Sequence, residues 1–350
     1  MIHGKKFLRS LLPLAGLLLA TPVLAAPAGA LDKPLNLSFC IYDPVGNNGD
    51  AATRARDLAL EAKKWNINTS IKVYTDERVA SEDFKAGQCE GLVVTTLRAR
   101  QFNKFMGSLD AVGGIRSAQE MRGVLQTLAN PKVIPLTISG PYQVIGVVPL
   151  GAAYVFVNDR KIDSIEKAAG KKVAVLDWDK SQAKLVQQLG AQPVASDITN
   201  FASKFNNGQV DILVAPAIIY KPFELYRGLG KNGAIFRYPV VQITGSIIIN
   251  RERLIKQVPD MDERMLKLRD FAMTRVEEAF TFIEKSEKEI DAKYWLDLSP
   301  VEQDKYNRLL REARLQLTAD GTYDPQMMSL LKRVRCKFDP KNFECALKDE

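Results

Sequence analysis

The sequence LNLSFCIY at Leu35–Tyr42 is followed at once by DPVGNNGD at Asp43–Asp50, so a β-rich hydrophobic run ends in a dense cluster of turn residues. This pattern predicts a strand and then a loop, followed by a helix over Ala51–Trp65 with Asp50 as its N-cap. The next segments are predicted as a strand at Ser70–Thr75, a helix at Ser81–Ala86 and a strand at Gly91–Thr96. The order β-α-β-α-β predicts an α/β fold with a parallel sheet covered by helices.

A second unit of the same kind follows, after two β-rich runs in Tyr142–Asn158 that Pro149 and Gly151 separate. Its elements are predicted as a helix at Ile165–Ala169, a strand at Lys172–Leu176, a helix at Lys180–Leu189 that ends at Gly190, a helix at Phe201–Asn206, a strand at Val210–Val214, a largely helical Pro216–Leu229 and a returning strand at Val240–Asn250. Two such units predict two lobes with a cleft, and ligands of open α/β sheets bind beyond the carboxyl ends of the strands.

Long amphipathic helices are predicted after Arg251, where they can brace both lobes. Their predicted ranges are Met261–Ser286, Pro300–Thr318 and Gln326–Val334, and Ser299 to Glu302 forms a capping box with Pro300 in the first turn. The predicted domains are a first lobe over 31–150, completed by part of 251–290, a second lobe over 151–250, and a C-terminal helical segment over 251–350 that ends in a cysteine hairpin.

The N-terminus is typical of a secretory signal peptide over residues 1–25. Lys5, Lys6 and Arg9 precede an apolar run at Leu11–Leu19, and small residues lead to a cleavage site near Ala25, with a later cut after Ala30 as an alternative. An uncleaved membrane anchor is the other interpretation, but the run is shorter than the ~20 residues that span a bilayer. We therefore expect a periplasmic protein without stable membrane insertion.

Charge and histidine content change once this segment is removed. The 350-residue chain carries 49 Lys+Arg and 41 Asp+Glu, a net charge of +8, and removal of three basic residues leaves 46 against 41, or +5. The chain's single histidine, His3, leaves with the same segment. A mature chain without histidine excludes Ser-His and Cys-His nucleophile systems, and we predict no catalytic residues.

Other function classes find little support in the sequence. The GK at Gly230–Lys231 lacks the spacing of a phosphate-binding loop, and the Asp43–Asp50 loop lacks the calcium pattern that ends in Glu. Basic residues do not form an aromatic-interleaved stripe, which argues against nucleic acid. We predict no metal and no cofactor. Carboxylate pairs such as Asp177 and Asp179 keep a carboxylate-dependent enzyme as an alternative.

Four cysteines lie in the mature chain, and an even number in an exported protein favours disulfides. Three pairings are possible. Cys336 and Cys345 flank a turn that contains Pro340, which favours Cys336–Cys345 together with Cys40–Cys89.

Candidate ligand-binding residues are the polar and aromatic side chains at the predicted strand ends and at the crossing between lobes. Aromatic, amide and charged groups that converge in a cleft suit a small molecule. The candidates are Trp178, Asp177, Asp179, Arg98, Asp43, Asn47, Thr96, Tyr154, Tyr220 and Gln242.

Several motifs resemble the DctP-type solute-binding proteins of TRAP transporters. They are NDRKIDSIEKAAGKKVAV, LGAQPV, FNNGQVDILVAPAIIY and GSIIINRERL between residues 157 and 254, and DFKAGQCEGLVVTT in the first unit, in the family's order and at similar spacing. The chain is also similar to a divergent exported group of solute-binding proteins, the AdeT proteins, some of which carry an efflux or aminoglycoside-resistance label. The resemblance implies a two-lobed periplasmic binding protein of type II-like fold that closes on a small organic acid and delivers it to a membrane permease.

One departure from the family bears on the ligand. The family strand "KiRv" carries an arginine that clamps the ligand carboxylate, whereas this chain has KVAV at Lys172–Val175. Arg98 is a substitute from the opposite lobe, or Asp177, Trp178 and Asp179 suit an amine-containing ligand through charge pairing and cation–π contact. An accessory role in an envelope or efflux complex, without a ligand, is the remaining alternative.

Overall fold

The computed structural model describes residue 1 and residues 30–267 and 269–350. The predicted signal peptide, including His3, lies outside the described residues apart from Met1. Strands are found at β1 Leu35–Tyr42, β2 Ile67–Tyr74, β3 Gly91–Thr95, β4 Ile138–Ser139, β5 Tyr142–Val157, β6 Lys172–Leu176, β7 Gln192–Ser196, β8 Ile212–Pro216, β9 Ala234–Phe236, β10 Val241–Asn250 and β11 Trp295–Leu296.

The α-helices are α1 Asp50–Ala62, α2 Glu77–Lys85, α3 Thr96–Ala99, α4 Lys104–Gly107, α5 Ala118–Leu128, α6 Lys180–Gln188, α7 Phe201–Asn206, α8 Tyr226–Leu229, α9 Arg251–Leu254, α10 Met261–Lys267, α11 Arg269–Lys288, α12 Pro300–Ala319 and α13 Pro325–Phe338. Pro216–Leu229, predicted as largely helical, holds only a 3₁₀ turn at Ala217–Ile219 and α8. Asp50 is the first residue of α1, not its N-cap, because Gly49 takes that place without a side-chain bond.

The strands follow one another in the order β2-β1-β3-β10-β5-β8-β6-β7. β1 pairs in parallel with β2 and β3 in the first lobe, and β6 pairs in parallel with β7 and β8 in the second. β5 and β10 are antiparallel to each other and connect the two halves, with β10 on β3 and β5 on β8. The α/β class and the two parallel units are therefore confirmed.

The prediction of two separate β-rich runs between Tyr142 and Asn158 is wrong, because β5 is one continuous strand over Tyr142–Val157. The register against β10 shifts where Thr244 faces Pro149 and Ile243 faces Gly151, which leaves Leu150 as an extra residue. Gly151 has a φ of 98°, a conformation that glycine adopts at little cost. A bulge of this kind bends a strand without ending it, and it accommodates the missing N–H of the proline.

The C-terminal helices pack on both lobes, as expected of a brace. Tyr306 of α12 belongs to the hydrophobic core of the second lobe with Phe236, while Leu317 near the other end of α12 belongs to the core of the first lobe with Leu331 of α13. Ser299 caps α12 by accepting a hydrogen bond from the Glu302 amide at 3.2 Å. The proposed boundaries between domains stay a prediction.

Both favoured cysteine pairs are bonded. Cys40 of β1 is joined to Cys89 with Cα atoms 5.8 Å apart, and Cys336 of α13 is joined to Cys345 with Cα atoms 5.6 Å apart. The first bond is fully buried beneath α2 and fixes the loop before β3 to β1. It thereby fixes the start of β3, the strand whose other end leads to the candidate residues Thr96 and Arg98.

Candidate functional site

Arg98 and Trp178 meet where the two lobes face each other. Arg98 lies in α3, directly after β3 of the first lobe, and its amide is capped by the Thr95 hydroxyl at 3.2 Å. Trp178 follows the carboxyl end of β6 in the second lobe. The guanidinium carbon lies 4.1 Å from the centre of the indole ring, which is a cation–π contact across the cleft. Two of the candidate residues selected from the sequence are thus brought together.

Glu77, which is not among the predicted ligand-binding residues, fixes the direction of Arg98. Its carboxylate lies 3.4 Å from Arg98 Nε and accepts hydrogen bonds from the Thr95 hydroxyl at 2.7 Å and the Thr95 amide at 3.3 Å. The side chain is only 2% exposed, and this burial raises the pKa of the Glu77 carboxyl while Thr95 and Arg98 act in the opposite direction. Glu77 is the first residue of α2, and because acidic residues are common at helix starts, its position in the sequence carries no distinct sign of this role.

The second lobe presents carboxylates beside Trp178. Leu176 pairs with Ser196 at the ends of β6 and β7, and the Asp177 amide donates to the Ser196 carbonyl at 2.8 Å, so Asp177 and Asp197 lie side by side. Asp177 is exposed, whereas Asp179 is buried and accepts a hydrogen bond from Gln182 at 3.4 Å. Asp197 was not predicted, because the sequence alone did not reveal where β7 ends.

Tyr42, at the end of β1, lies close to acidic residues of both lobes. Burial raises the pKa of its phenol far above the ordinary value, and the charges of Glu77, Asp43, Asp76 and Asp197 add to this rise. Since Asp197 belongs to the second lobe, Tyr42 lies within reach of both. Carboxylates from both lobes therefore lie around Tyr42, close to Arg98.

Three predicted residues belong to the framework beneath this region. Asp43 is 2% exposed and accepts hydrogen bonds from the amides of Val45 at 2.9 Å and Ala52 at 3.0 Å, so it fixes the β1–α1 loop. Asn47 is exposed, and its backbone oxygen accepts a 2.7 Å bond from Arg56. Thr96 is fully buried, with its hydroxyl 2.7 Å from that of Ser246. These contacts support the loops that present Arg98 and Tyr42.

The other three predicted residues lie apart from the Arg98–Trp178 contact. The Tyr154 hydroxyl donates to Glu287 of α11 at 2.8 Å, and burial together with the Glu287 charge raises the pKa of Tyr154. Tyr220 is 6% exposed and lines a cavity of about 140 Å³ together with Asp50 and Glu289, and burial raises its pKa to about 12. Gln242 is buried in β10, opposite Ala152 of β5.

Metal-binding clusters and membrane-spanning helices are both missing from the part of the chain that the structure describes. Within it, no group of three or more His, Cys, Asp or Glu side chains is arranged to hold a metal ion. No helix among these residues is both long and apolar enough to cross a bilayer.

Comparison with known sequences assigns the family. Residues 58–350 match the family described as "Solute-binding protein AdeT 1/2". The chain belongs to the AdeT 1/2 family of solute-binding proteins. It is 46% identical over 310 residues to "Probable solute-binding protein AdeT1" of Acinetobacter baumannii, a match that covers 89% of this chain and 100% of that protein. It is 29% identical over 242 residues to "Probable solute-binding protein AdeT2" of the same organism, covering 69% and 99%.

Solved structures of TRAP periplasmic solute-binding proteins share the fold of this AdeT-family chain. One from Ralstonia eutropha H16, with bound (S)-2-acetolactate, superposes with a TM-score of 0.68 at 14% identity and covers 85% of this chain and 99% of that one. Another from Shewanella oneidensis, with bound succinate, gives a TM-score of 0.67 at 12% identity, covering 86% and 99%. The two-lobed binding-protein fold, predicted from the motifs, is confirmed.

Proposed function

We propose that this AdeT-family chain captures a small molecule between its lobes, without transforming it, and delivers it to a membrane permease or envelope complex. The observation that carries the proposal is the contact between Arg98 and Trp178, because it joins side chains from opposite walls of the cleft at 4.1 Å. A ligand that binds both walls of the cleft favours the closed arrangement of the lobes and shifts the population toward it.

The proposed site consists of Arg98, Trp178 and Asp177, supported by Glu77 and Asp197. Arg98 offers hydrogen-bond donors, Trp178 offers a flat apolar face, and the aspartates offer acceptors, which together suit a small polar solute. Asp43, Asn47 and Thr96 hold the loops of the first wall. Asp179 follows Trp178 but is buried and bonded to Gln182, whereas Tyr154, Tyr220 and Gln242 lie in other parts of the fold.

The absence of turnover is part of the proposal. Burial raises the pKa of the Glu77 carboxyl beside Arg98. This carboxylate is already hydrogen-bonded to Thr95 and Arg98, so it is poorly placed to exchange protons with a substrate. An accessory role without a ligand is the competing proposal. It is favoured by the lack of an arginine in β6 and by Arg98 resting directly against Trp178.

A thermal-shift screen of the mature protein tests the function. The panel contains organic acids, amino acids, polyamines and aminoglycosides, and a ligand at 100 times its Kd stabilises the folded state by about 2.7 kcal/mol. Titration calorimetry then gives the affinity of each hit, and mass spectrometry of the mixture detects any product. Unchanged hits support capture, products would identify an enzyme, and a panel without a single hit would favour the accessory role.

A matched pair of variants localises the site. Arg98→Ala is expected to weaken the best hit at least tenfold, with Arg98→Lys as a second variant that keeps the charge but loses the planar fork. Arg237 stacks on Trp295 at 4.8 Å and provides a control Arg–Trp contact away from the cleft. Arg237→Ala should leave the affinity unchanged, and equal effects of the two alanine variants would remove the site from the Arg98–Trp178 contact.

The periplasmic location of the mature chain, with cleavage near Ala25, is also proposed. The family relation and the fold of periplasmic binding proteins support it. N-terminal sequencing of protein released from the periplasm tests both points, and a mature chain that still begins at Met1 would contradict them.

A further inference from the structure

We infer that the solute is a zwitterion, whose carboxylate is bound by Arg98 on the first lobe and whose ammonium group is bound by Asp177 and Asp197 on the second. This inference rests on the proposed capture function and names the ligand class for the same cleft. It departs from the organic acids bound in the acetolactate and succinate complexes of the structural relatives.

Arg98 is held ready for an acceptor that the protein does not supply. Its Nε faces Glu77, its guanidinium plane is covered by Trp178, and the side chain is 14% exposed. Its two terminal nitrogens donate to no described residue. A guanidinium fork that is fixed in this way matches a carboxylate bidentately, and leaving these donors unmatched when the lobes close is costly.

Glu77 is already fully used in fixing this arginine. Its two oxygens receive the Thr95 hydroxyl, the Thr95 amide and Arg98 Nε. The internal carboxylate therefore occupies one side of the guanidinium and leaves the opposite, terminal edge for the ligand. Such an arrangement replaces the missing arginine of β6 with one on the other wall.

The second wall has the opposite charge, and its two carboxylates have oxygens that accept no hydrogen bond from the described residues. Asp177 is exposed and makes no hydrogen bond or ion pair through its side chain with a described residue. Asp197 uses Oδ1 to accept from Thr199 and Asn200, while Oδ2 accepts from none of the described residues. Two adjacent carboxylates with free oxygens suit an ammonium group, and the neighbouring indole face adds a cation–π contact.

Ligands of a single charge sign fit this pair of walls poorly. The second carboxylate of a diacid would face Asp177 and Asp197, and the cation of β6, Lys172, is the first residue of that strand, at the end away from Asp177. One ammonium group of a diamine would face Arg98. Only a molecule with one group of each sign places opposite charges on both walls, and electrostatic complementarity is what gives a binding site its specificity.

The test compares solutes that share a carbon chain and differ only in their end groups. Calorimetric titrations use 4-aminobutanoate, butanedioate and 1,4-diaminobutane, and repeat the comparison at three, five and six carbons so that the span of the cleft is matched. We expect an amino acid to bind at least tenfold more tightly than the diacid and the diamine of equal length. Tighter binding of a diacid or a diamine, or no binding by any amino acid in the series, overturns the inference.

Charge variants identify the two walls separately. Asp177→Asn should weaken the best amino acid at least tenfold while weakening the diacid less, and Arg98→Lys should weaken the amino acid and the diacid together. Asp163→Asn, at an exposed ion pair with Lys167 in the same lobe, is the control and should change neither affinity. If Asp177→Asn matches this control, the ammonium subsite is wrong.

Failure of this inference can be told apart from failure of capture itself. A hit in the broad screen that is purely anionic or purely cationic, and that Arg98→Ala abolishes, leaves capture standing and removes the zwitterion. A broad screen without any hit removes both.

Discussion

Asp110 provides the clearest pH-dependent prediction, because its carboxyl group is buried against Thr244 of β10. It is 1% exposed and lies beneath the segment that carries Arg98. The Thr244 amide donates to it at 2.9 Å, and the Thr244 hydroxyl lies 2.6 Å from it and 2.8 Å from the hydroxyl of Thr96, the first residue of α3. Burial raises the pKa of Asp110 to about 7, although Thr244 and the charge of Arg100 act in the opposite direction.

The sign of the effect follows from the direction of this shift. An unfolded aspartate has a pKa of about 3.9, so between about pH 4 and pH 7 the folded state binds more protons than the unfolded state. The stability that the protonated Asp110 contributes is therefore fully present below about pH 4 and is lost as the pH rises through 7. The slope of the unfolding free energy against pH reaches about −1.4 kcal/mol per pH unit, and the total change between the two pKa values is about 4 kcal/mol.

Asp110→Asn removes this titration while its side-chain oxygen can still accept the Thr244 amide. We expect the free energy of unfolding of the variant, relative to the parent, to increase by up to about 4 kcal/mol from pH 4 to pH 8. Any lost hydrogen bond adds a constant offset and leaves this slope unchanged. The sole histidine is His3, so a cleaved chain has no histidine to obscure the window.

Urea unfolding at a series of pH values, followed by tryptophan fluorescence, measures the difference. Asp57→Asn, at an exposed position of α1, is the matched control and should give a pH-independent difference. The reasoning is refuted if the difference between Asp110→Asn and the parent is flat across pH 4–8, since that would mean Asp110 ionises in the folded state as it does in the unfolded one.

Two further predictions concern the two disulfide bonds and the buried ion pairs of Glu344. Removing Cys40–Cys89 by serine substitution should cost about 4 kcal/mol and removing Cys336–Cys345 about 3 kcal/mol, because the first bond closes a loop with a separation of 49 residues and the second one of 9. Urea unfolding checks both values, and a reversed order would contradict the loop-length argument. Glu344→Gln should lower the free energy of unfolding by about 3–5 kcal/mol in the same assay, because the 2%-exposed Glu344 neutralises the buried Arg314 and Arg335. A loss below about 1 kcal/mol is typical of surface ion pairs and would contradict this role.

The elements that local patterns determine were predictable from the sequence. The β-α-β alternation, the capping box at Ser299 and the disulfides depend on residues close in sequence or on a small number of pairings. The continuity of β5 was not predictable, because the bulge that accommodates Pro149 exists only in register with β10. Local signals at a proline end a strand, and tertiary pairing here overrides them.

The site illustrates the same division at the level of side chains. Arg98 and Trp178 were selected because they follow strand ends, and that rule depends only on the topology of parallel strands. Glu77 could not be selected in the same way, since its role depends on the distance from α2 to α3. Asp43 was expected at the ligand, yet its carboxylate is used by the amides of its own loop, and a polar residue in a turn gives the same sequence signal for either role.

The contact between Arg98 and Trp178 also limits how strongly the ligand must act. A cation–π contact contributes from about 0.5 to 2 kcal/mol, so it can favour lobe closure by only about 2-fold to 30-fold before any ligand is present. A ligand shifts the two states only through its difference in affinity for them, and moving the population from 1:99 to 99:1 needs about 5.5 kcal/mol. Contacts to a single wall act in both states and supply none of this. The solute must therefore bind both walls at once, which is why the opposite charges of Arg98 on one lobe and Asp177 on the other are the features expected to determine closure.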